Sequence, residues 1–442
     1  MVYKIIKRDL QHIWHPCSQM KDYRRFKPLV VKRARGSYIE LDDNTKIIDA
    51  VSSWWCKILG HGHPRLKAAL LKQANKFEHV IFANTTNEVI VELSEKLTSM
   101  TKSLDKVFYA SEGSSAVEIA IKMSLHSRKI SGEDERRQIM SLQNGYHGET
   151  GLALAVSDVG LYRKPYEEVL KPGIFLQNIP YVHSKNDLLW QDCSKVWPSI
   201  EAQLEINAKQ LTAVIIEPIV QGAGGMLIYS KNFLKRLRSW TIKHNIHLIA
   251  DEIMTGFGRT GLPLACQHAK VEPDFICLAK GLTGGWLPMS AVLTTNKIYN
   301  LFYDDFEKNK SFLHSHTHSG NALAAAVALE CMKVLEEEDI YSQVRIIEPV
   351  LYELMSDVAL KTKRLTNIRN IGAMVAADLV LTKRQQSQRY GYRVFQEAVK
   401  LGALLRPLGN TIYWLPPLNT SRTVLLKLSK ITIASINNLI LI

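Results

Sequence analysis

Two residues of opposite charge each follow an apolar run in the middle of the chain. Asp251 follows residues 247–250, and Lys280 follows residues 275–279. Both runs have the length and the flanking turn residues of buried strands. Ligands of open α/β sheets bind at the carboxyl ends of the strands, so Asp251 and Lys280 are expected to face one ligand. A lysine close to a carboxylate indicates Schiff-base chemistry with a cofactor whose ring nitrogen needs an anionic partner; a buried salt bridge is the alternative.

A small-residue turn has the features of an anion site. Gly113 and Ser114 lie between a predicted strand at 107–110 and a predicted helix at 116–127. Such a turn directs free backbone N–H groups and the positive end of a helix at an anion, so a phosphate would bind here. The pattern is neither GxGxxG nor a P-loop, and an ordinary N-cap turn would look alike.

Aromatic and basic residues supply candidate walls for a pocket. Trp54 and Trp55 are adjacent, and in a strand their side chains would point to opposite faces, so at least one could line a pocket. Tyr146 stands before His147 in a glycine-flanked loop and could stack on a planar ring. Arg406 precedes a predicted strand and could bind a carboxylate through two hydrogen bonds. The competing interpretations are core tryptophans, a surface tyrosine and a solvated hairpin charge.

Three histidines raise the question of a metal site. His314, His316 and His318 would share one face of a strand, and three imidazoles can hold zinc. Their Ser/Thr/Gly/Asn-rich surroundings are typical of a loop, and no fourth ligand is evident. We therefore predict no metal.

The elements that must position these residues alternate along the chain. Glu217 follows a third apolar run, 211–216, so three successive strands are predicted to end in Glu217, Asp251 and Lys280. Strands that alternate with helices predict a mostly parallel sheet in an α/β protein. A hairpin with an Asp-Asn turn is predicted at 35–49. Helices are predicted from residue 64 and at 87–97, 232–244, 322–336, 341–360 and 392–401, with a strand pair at 368–380.

Composition narrows the function classes. The 442 residues carry a formal net charge of +14, but the basic residues are scattered, so anionic small molecules fit better than nucleic acid. Six cysteines without CxxC spacing indicate neither zinc nor a disulfide framework. No secretory signal or apolar run of membrane-spanning length is evident, so a soluble, cytoplasmic protein is expected.

Taken together, these motifs resemble the class III pyridoxal-phosphate-dependent aminotransferases over nearly the whole chain. The segments that carry the resemblance are 12–16 (HIWHP), 52–55 (SSWW), 145–148 (GYHG), 249–252 (IADE), 255–261 (TGFGRTG), 279–281 (AKG) and 406–409 (RPLG). The resemblance implies fold type I, an α/β fold with a mostly parallel seven-stranded sheet in a large domain and a small α+β domain built from both termini. The implied parts are 1–58 and 337–442 for the small domain and 59–336 for the large one.

The same resemblance assigns roles to individual residues. Lys280 would bond to pyridoxal 5'-phosphate and then shuttle a proton, and Asp251 would hold the ring nitrogen protonated. Thr317 would reach the phosphate of a neighbouring subunit, which implies a homodimer with shared active sites. The implied cofactor-binding residues are Gly113, Ser114, Tyr146, Glu217, Asp251, Lys280 and Thr317. The implied substrate-binding residues are Cys17, Trp54, Tyr146, Lys280, Ser315 and Arg406.

Three motifs resemble most the members that make 7,8-diaminononanoate for biotin synthesis: the tryptophan pair, the amino-terminal His-Pro motif and the late Arg-Pro-Leu-Gly segment. The implied reaction moves an amino group from S-adenosylmethionine to 8-amino-7-oxononanoate. The common pattern is departed from at three places: Cys17 replaces a pocket tyrosine, Ser315-His316 replaces Gly-Pro, and Glu149 replaces an aspartate. The first departure leaves lysine open as the donor. An ornithine- or lysine-type ω-aminotransferase is the alternative enzyme; a DNA-binding regulator and a dehydrogenase lack supporting motifs.

Overall fold

The computed structural model describes residues 2–439 as an α/β molecule with several sheets. Its helices are α1 (Val2–His12), α2 (Ser52–Trp55), α3 (Pro64–Ala74), α4 (Glu88–Thr98), α5 (Gly113–Ile130), α6 (Gly151–Ala155), α7 (Gly160–Arg163), α8 (Leu188–Gln191), α9 (Trp197–Asn207), α10 (Lys231–Lys243), α11 (Asn296–Phe302), α12 (Ala322–Glu337), α13 (Ile340–Thr362), α14 (Lys383–Gln386), α15 (Tyr390–Leu401) and α16 (Arg422–Asn438). Its strands are β1 (Val31–Arg35), β2 (Tyr38–Leu41), β3 (Lys46–Asp49), β4 (Lys106–Ala110), β5 (Gln138–Leu142), β6 (Ile174–Leu176), β7 (Tyr181–Val182), β8 (Leu211–Ile216), β9 (Val220–Gln221), β10 (Leu227–Tyr229), β11 (His247–Asp251), β12 (Phe275–Leu278), β13 (Ser290–Thr294), β14 (Leu365–Ile371), β15 (Met374–Leu379), β16 (Ala403–Leu404) and β17 (Thr411–Trp414).

The central sheet has seven strands in the order β4-β13-β12-β11-β8-β5-β6. The neighbours from β12 to β6 pair in parallel, whereas β13 runs antiparallel to both β12 and β4. The prediction of a mostly parallel seven-stranded sheet is therefore confirmed. Strands β8 and β12 are buried along their whole length, as expected for a sheet covered on both faces.

The register of the central sheet brings the predicted polar strand ends to one edge. Strands β11 and β12 pair with Ile249 opposite Phe275 and Asp251 opposite Cys277. Lys280 follows β12 by two residues, so it lies at the same carboxyl edge as Asp251. The chain between β4 and α5 also opens at this edge.

A second sheet, β1-β2-β3-β16, joins an amino-terminal part of the chain to a carboxyl-terminal part. The predicted hairpin forms β2 and β3, and β16 from the carboxyl-terminal part pairs in parallel with β3. A third sheet, β14-β15-β17, contains the predicted strand pair at 368–380. The pairing of β16 with β3 is the kind of contact that a small domain built from both termini requires. The boundaries 1–58, 59–336 and 337–442 stay predictions.

The predicted helices are confirmed as α3, α4, α5, α10, α12, α13 and α15, with ends that shift by up to three residues. The largest shift at a start is in α5, which begins at Gly113 rather than at 116. A Cβ at Gly113 would lie 2.9 Å from Ile253 Cδ1, so any larger residue at the start of α5 would displace the isoleucine side chain. Within residues 2–439, no helix has the length and apolar character needed to cross a membrane.

The idea that the tryptophan pair lies in a strand is wrong. Residues 52–55 form α2, a single irregular turn in which Ser53 and Trp54 have non-helical backbone angles. Ser52, Ser53 and Trp55 have positive φ values of 50°, 59° and 65°. The two tryptophans still face different surroundings, because Trp55 is buried and Trp54 is 47% exposed.

Candidate active site

A cavity of ≈ 1490 Å³ opens at the carboxyl edge of the central sheet. The structure brings most of the predicted site residues to its walls: Cys17, Trp54, Gly113, Ser114, Tyr146, Glu217, Asp251, Lys280 and Arg406. Ser315 and Thr317 do not line it. They lie between Phe312 and Gly320, where the carbonyl oxygen of Thr317 accepts a hydrogen bond from His79 Nε2 at 2.8 Å.

Asp251 is held by a histidine that the sequence analysis did not assign. His147 Nδ1 donates to Asp251 Oδ2 at 2.8 Å, and both side chains are buried. The other ring nitrogen of His147 is buried without a partner among the described residues. No hydrogen bond or ion pair of residues 2–439 joins Asp251 to Lys280, so the structure does not show the simple salt bridge considered above. The position of His147 next to Tyr146 in a glycine-flanked loop was the feature of the sequence that could have indicated its role.

Lys280 combines backbone strain with a reactive amine. Its φ is 45°, a left-handed conformation that costs a non-glycine residue about 1–3 kcal/mol and is typical of functional positions. Burial lowers the pKa of Lys280, while Asp251 and Glu217 oppose that change. The Nζ atom lies 4.5 Å from the centre of the Trp55 ring. A lowered pKa increases the neutral amine, which is the form that acts as nucleophile and base.

Glu217 extends the acidic group at the strand ends. Its Oε1 accepts from the backbone N–H of Tyr146 at 2.9 Å, and its Oε2 accepts from that of Gly222 at 2.8 Å. Burial raises the pKa of Glu217 to about 7, against the lowering effect of His147. The carboxyl group therefore changes protonation near neutral pH.

The amino end of α5 forms a cradle for an anion. Glu112, the N-cap residue, makes no side-chain hydrogen bond to the first N–H groups of α5, and Gly113 and Ser114 line the cavity, so these groups are available to an anion there. Gly148 has φ 125°, and a side chain there would approach Ser114 Oγ to 2.1 Å. Glycine at 148 thus leaves the serine hydroxyl accessible, and a phosphate fits this helix end.

The opposite side of the cavity is built from exposed side chains. The guanidinium of Arg406 lies 4.6 Å from the centre of the Trp54 ring, and its Nη2 donates to the carbonyl oxygen of Cys17 at 3.1 Å. Cys17 Sγ lies 3.0 Å from the hydroxyl of Tyr162. Tyr162 carried no sequence signal. We call Cys17, Trp54, Tyr162 and Arg406 the outer wall, and His147, Glu217, Asp251 and Lys280 the inner wall.

Tyr146 stands between the two walls. Its hydroxyl donates to Glu149 Oε1 at 2.9 Å, and its ring centre lies 6.3 Å from that of Tyr162 in an edge-to-face arrangement. Burial raises the pKa of Tyr146 far above its ordinary value, so the hydroxyl stays protonated. Tyr146 lines the cavity with an aromatic face and a hydrogen-bond donor.

The three histidines considered as zinc ligands, His314, His316 and His318, do not line this cavity. His314 Nε2 is 3.2 Å from His316 Nε2, and His314 Nδ1 is 2.9 Å from Lys122 Nζ. His318 packs against His79 instead. In the part of the chain that the structure describes, no group of three or more His, Cys, Asp or Glu side chains is arranged to hold a metal ion.

A lysine amine, a buried carboxylate and an uncapped helix end meet at one edge of this sheet, the combination expected of an enzyme that binds a phosphate-bearing cofactor through a lysine. The model of the class-III aminotransferase family matches residues 19–433, so the chain belongs to that family. An adenosylmethionine-8-amino-7-oxononanoate aminotransferase of Helicobacter pylori is 38% identical over 413 residues, 92% of each chain. The enzyme of that same description from Methanocaldococcus jannaschii has a similar structure, with a TM-score of 0.89, 32% identity and 99% of both chains covered.

The cofactor of this family is pyridoxal phosphate. A solved amine transaminase from an uncultivated Pseudomonas species, in a PLP-bound form, has a TM-score of 0.88 and 30% identity and covers 97% of this chain and 98% of its own. The residues of the present site fit such a group. The uncapped end of α5 suits its phosphate, the paired Asp251 suits a protonated ring nitrogen, and the amine of Lys280 suits its carbonyl carbon.

Proposed function

We propose that this aminotransferase converts 8-amino-7-oxononanoate into 7,8-diaminononanoate for biotin synthesis, with S-adenosylmethionine as the amino donor. The relatives from H. pylori and M. jannaschii, at 38% and 32% identity, bear the name of that activity. The observation that carries the proposal within the site is the pair of Arg406 and Trp54 on the outer wall. A guanidinium can bind a carboxylate through two hydrogen bonds, and the aromatic face beside it suits the aliphatic part of a long acid.

When bound, the cofactor supplies an electron sink and a carrier for the amino group. Asp251, paired with His147, would place negative charge where the ring nitrogen must stay protonated. Gly113 and Ser114 would hold the phosphate at the end of α5. Lys280 would take a proton from the substrate carbon and return it, and burial lowers the pKa of its amine, which favours the neutral form that this task requires.

One site must serve two substrates in turn. The donor leaves its amino group and departs before the acceptor enters, so the same walls meet an adenosyl group and a nine-carbon acid. Arg406 anchors the carboxylate that both molecules carry. The exposure of the outer wall and the ≈ 1490 Å³ cavity supply the room for such different shapes.

We further propose a homodimer that shares its active sites. Thr317 and Ser315 belong to the predicted site but lie away from the cavity of their own chain, which supports a role across a subunit interface. The domain parts 1–58, 59–336 and 337–442 and the cytoplasmic location belong to the same proposal.

The test is a donor screen with the purified protein. With 8-amino-7-oxononanoate as acceptor, S-adenosylmethionine and lysine are compared as donors, and 7,8-diaminononanoate is measured by mass spectrometry. Product from S-adenosylmethionine supports the proposal, and product from lysine alone overturns the donor assignment. Ornithine and simple ω-amines serve as further donors, and turnover of these without diaminononanoate overturns the acceptor assignment.

A further inference from the structure

Residues 52–55 hold a conformation that needs external support. Ser52, Ser53 and Trp55 have positive φ, a region that residues with a Cβ adopt rarely and at a cost. The backbone closes this turn with hydrogen bonds from the N–H groups of Trp55 and Cys56 to the carbonyl oxygens of Val51 and Ser52, at 3.1 and 3.0 Å. Side chains outside the turn add further support.

The support is a buried carboxylate at the end of β3. Asp49 is fully buried, and its oxygens accept from the backbone N–H of Ser53 at 2.9 and 2.8 Å and from its hydroxyl at 3.0 Å. The N–H of Val51 adds a bond at 3.3 Å. His61 Nε2 donates to Asp49 Oδ2 at 2.8 Å. Burial raises the pKa of Asp49, but the bonds from His61 and Ser53 outweigh burial and lower it overall.

His61 is itself fixed to the backbone of the hairpin region. Its N–H donates to the carbonyl oxygen of Gly36, and its own carbonyl oxygen accepts from the N–H of Gly36, both at 2.8 Å. The hydroxyl of Ser52 donates to the carbonyl oxygen of Leu415 at 2.7 Å, which ties the turn to the segment after β17. The turn is thus held at both ends, and Asp49 provides the charged centre.

The turn places both tryptophans in the cavity. Trp54 lies beneath Arg406, and the ring of Trp55 lies beneath the amine of Lys280. Trp55 Nε1 donates to the hydroxyl of Tyr413 at 2.9 Å, so its ring plane is fixed as well. The Trp55 ring lies against the amine, with its centre at 4.5 Å, so the orientation of Trp55 limits the positions open to the Lys280 side chain.

We infer that Asp49 and His61 are positioning residues for the transamination: they hold residues 52–55 in the strained turn that puts Trp55 under the Lys280 amine. Asp49 does not line the cavity and so acts only through the turn. The inference rests on the proposed function for the identity of the substrates, but not for the role of Lys280. Misplacing a proton-transfer group by about 1 Å lowers turnover by about 10²-fold.

Four variants test this, each as holoenzyme with activity expressed per bound cofactor. D49N and H61A remove the charge and the donor, H61Q keeps a side-chain N–H in place of Nε2, and D43N removes an exposed carboxylate from the same hairpin. We expect D49N to lower kcat by about 10²-fold, and H61A by less, with the same factor in the donor and the acceptor half-reactions. H61Q and D43N are expected to stay within about twofold of wild type.

A second readout needs no substrate. The pH midpoint of the visible absorbance change of the holoenzyme reports the protonation of the Lys280 nitrogen in its bond to the cofactor. We expect this midpoint to move in D49N and H61A and to stay unchanged in H61Q and D43N. The inference would be overturned if D49N kept wild-type kcat and an unchanged midpoint, or if its losses were confined to KM or Tm.

If D49N does not fold, the comparison of kcat and midpoint between H61A and H61Q tests the inference instead. A wild-type protein that is inactive on 8-amino-7-oxononanoate would refute only the proposed function.

Discussion

The inner and outer walls of the cavity differ in how they are held. His147, Glu217 and Asp251 are almost fully buried, and each bonds to a neighbour that the central sheet or its loops fix in place. The outer wall consists of exposed side chains that touch each other through single contacts. Burial makes each inner-wall charge sensitive to its partner, because the surrounding protein screens charge poorly.

This difference between the two walls suggests a division of roles, with the reaction chemistry at the inner wall and substrate recognition at the outer wall. The inner wall sets protonation states and the position of Lys280, so changes there should act on kcat and on pH dependence. In the proposed function the outer wall would meet the variable parts of the substrates, so changes there should act mainly on KM and on the choice of donor. The variants below test this division from the largest expected effect to the smallest.

Lys280→Ala removes the amine of the inner wall. We expect turnover to fall by about 10⁴-fold or more, since a positioned proton-transfer group contributes up to that factor and the covalent link is lost as well. Steady-state assays and the visible spectrum measure the loss. Lys297→Ala, on the exposed side of α11, is the control and should keep wild-type turnover. Turnover within tenfold of wild type in Lys280→Ala would refute the role of this amine.

Glu217→Gln tests the protonation of the inner wall. The pKa of Glu217 rises from 4.5 in the unfolded chain to about 7 in the fold, so the folded protein binds the extra proton. The contribution of Glu217 to the free energy of unfolding is thus greatest below about pH 4.5 and is lost as the pH rises to about 7. Relative to Glu217→Gln, the free energy of unfolding of wild type should fall by about 3 kcal/mol over that window. Denaturant titrations at several pH values measure it, and parallel curves would contradict it.

Arg406→Ala removes the cation of the outer wall. Hydrogen bonds to a charged group contribute about 1.5–3 kcal/mol, so kcat/KM for carboxylate substrates should fall by about 10- to 100-fold, mostly through KM. Substrate analogues without a carboxylate should lose little. Arg393→Ala, an exposed arginine of α15 that does not line the cavity, serves as the control. An equal fall in kcat/KM for acids and for their amides would show that Arg406 does not bind the carboxylate.

Tyr162→Phe makes the smallest change. It removes the hydroxyl that contacts Cys17 and keeps the ring, and a neutral hydrogen bond contributes about 0.5–1.5 kcal/mol. We expect KM for one substrate to change by about two- to tenfold, with kcat and Tm unchanged. Tyr166→Phe is the matched control, because Tyr166 is exposed and lies outside the cavity. A fall in kcat for both substrates would place Tyr162 with the inner wall.

The sequence by itself determined the sheet and the residues at its carboxyl edge. Apolar runs of strand length that alternate with helices leave few arrangements other than a parallel sheet, and the residue after each run must lie at one edge. Glu217, Asp251 and Lys280 follow from this rule. The glycine-containing turn before α5 follows in the same way, since a strand-to-helix turn at that edge directs N–H groups toward the ligand.

Only the tertiary structure decided which side chains meet across the chain. His147 and Asp251 are 104 positions apart, Cys17 and Tyr162 are 145 apart, and Cys17 and Arg406 are 389 apart. Periodicity describes neighbours along an element and contains nothing about such distances. The turn at residues 52–55 illustrates the same limit: the alternation expected of a strand was applied to the two tryptophans, but Asp49, His61 and the segment after β17 stabilise a strained turn instead. Local sequence sets what each segment prefers, and packing decides where that preference is overruled.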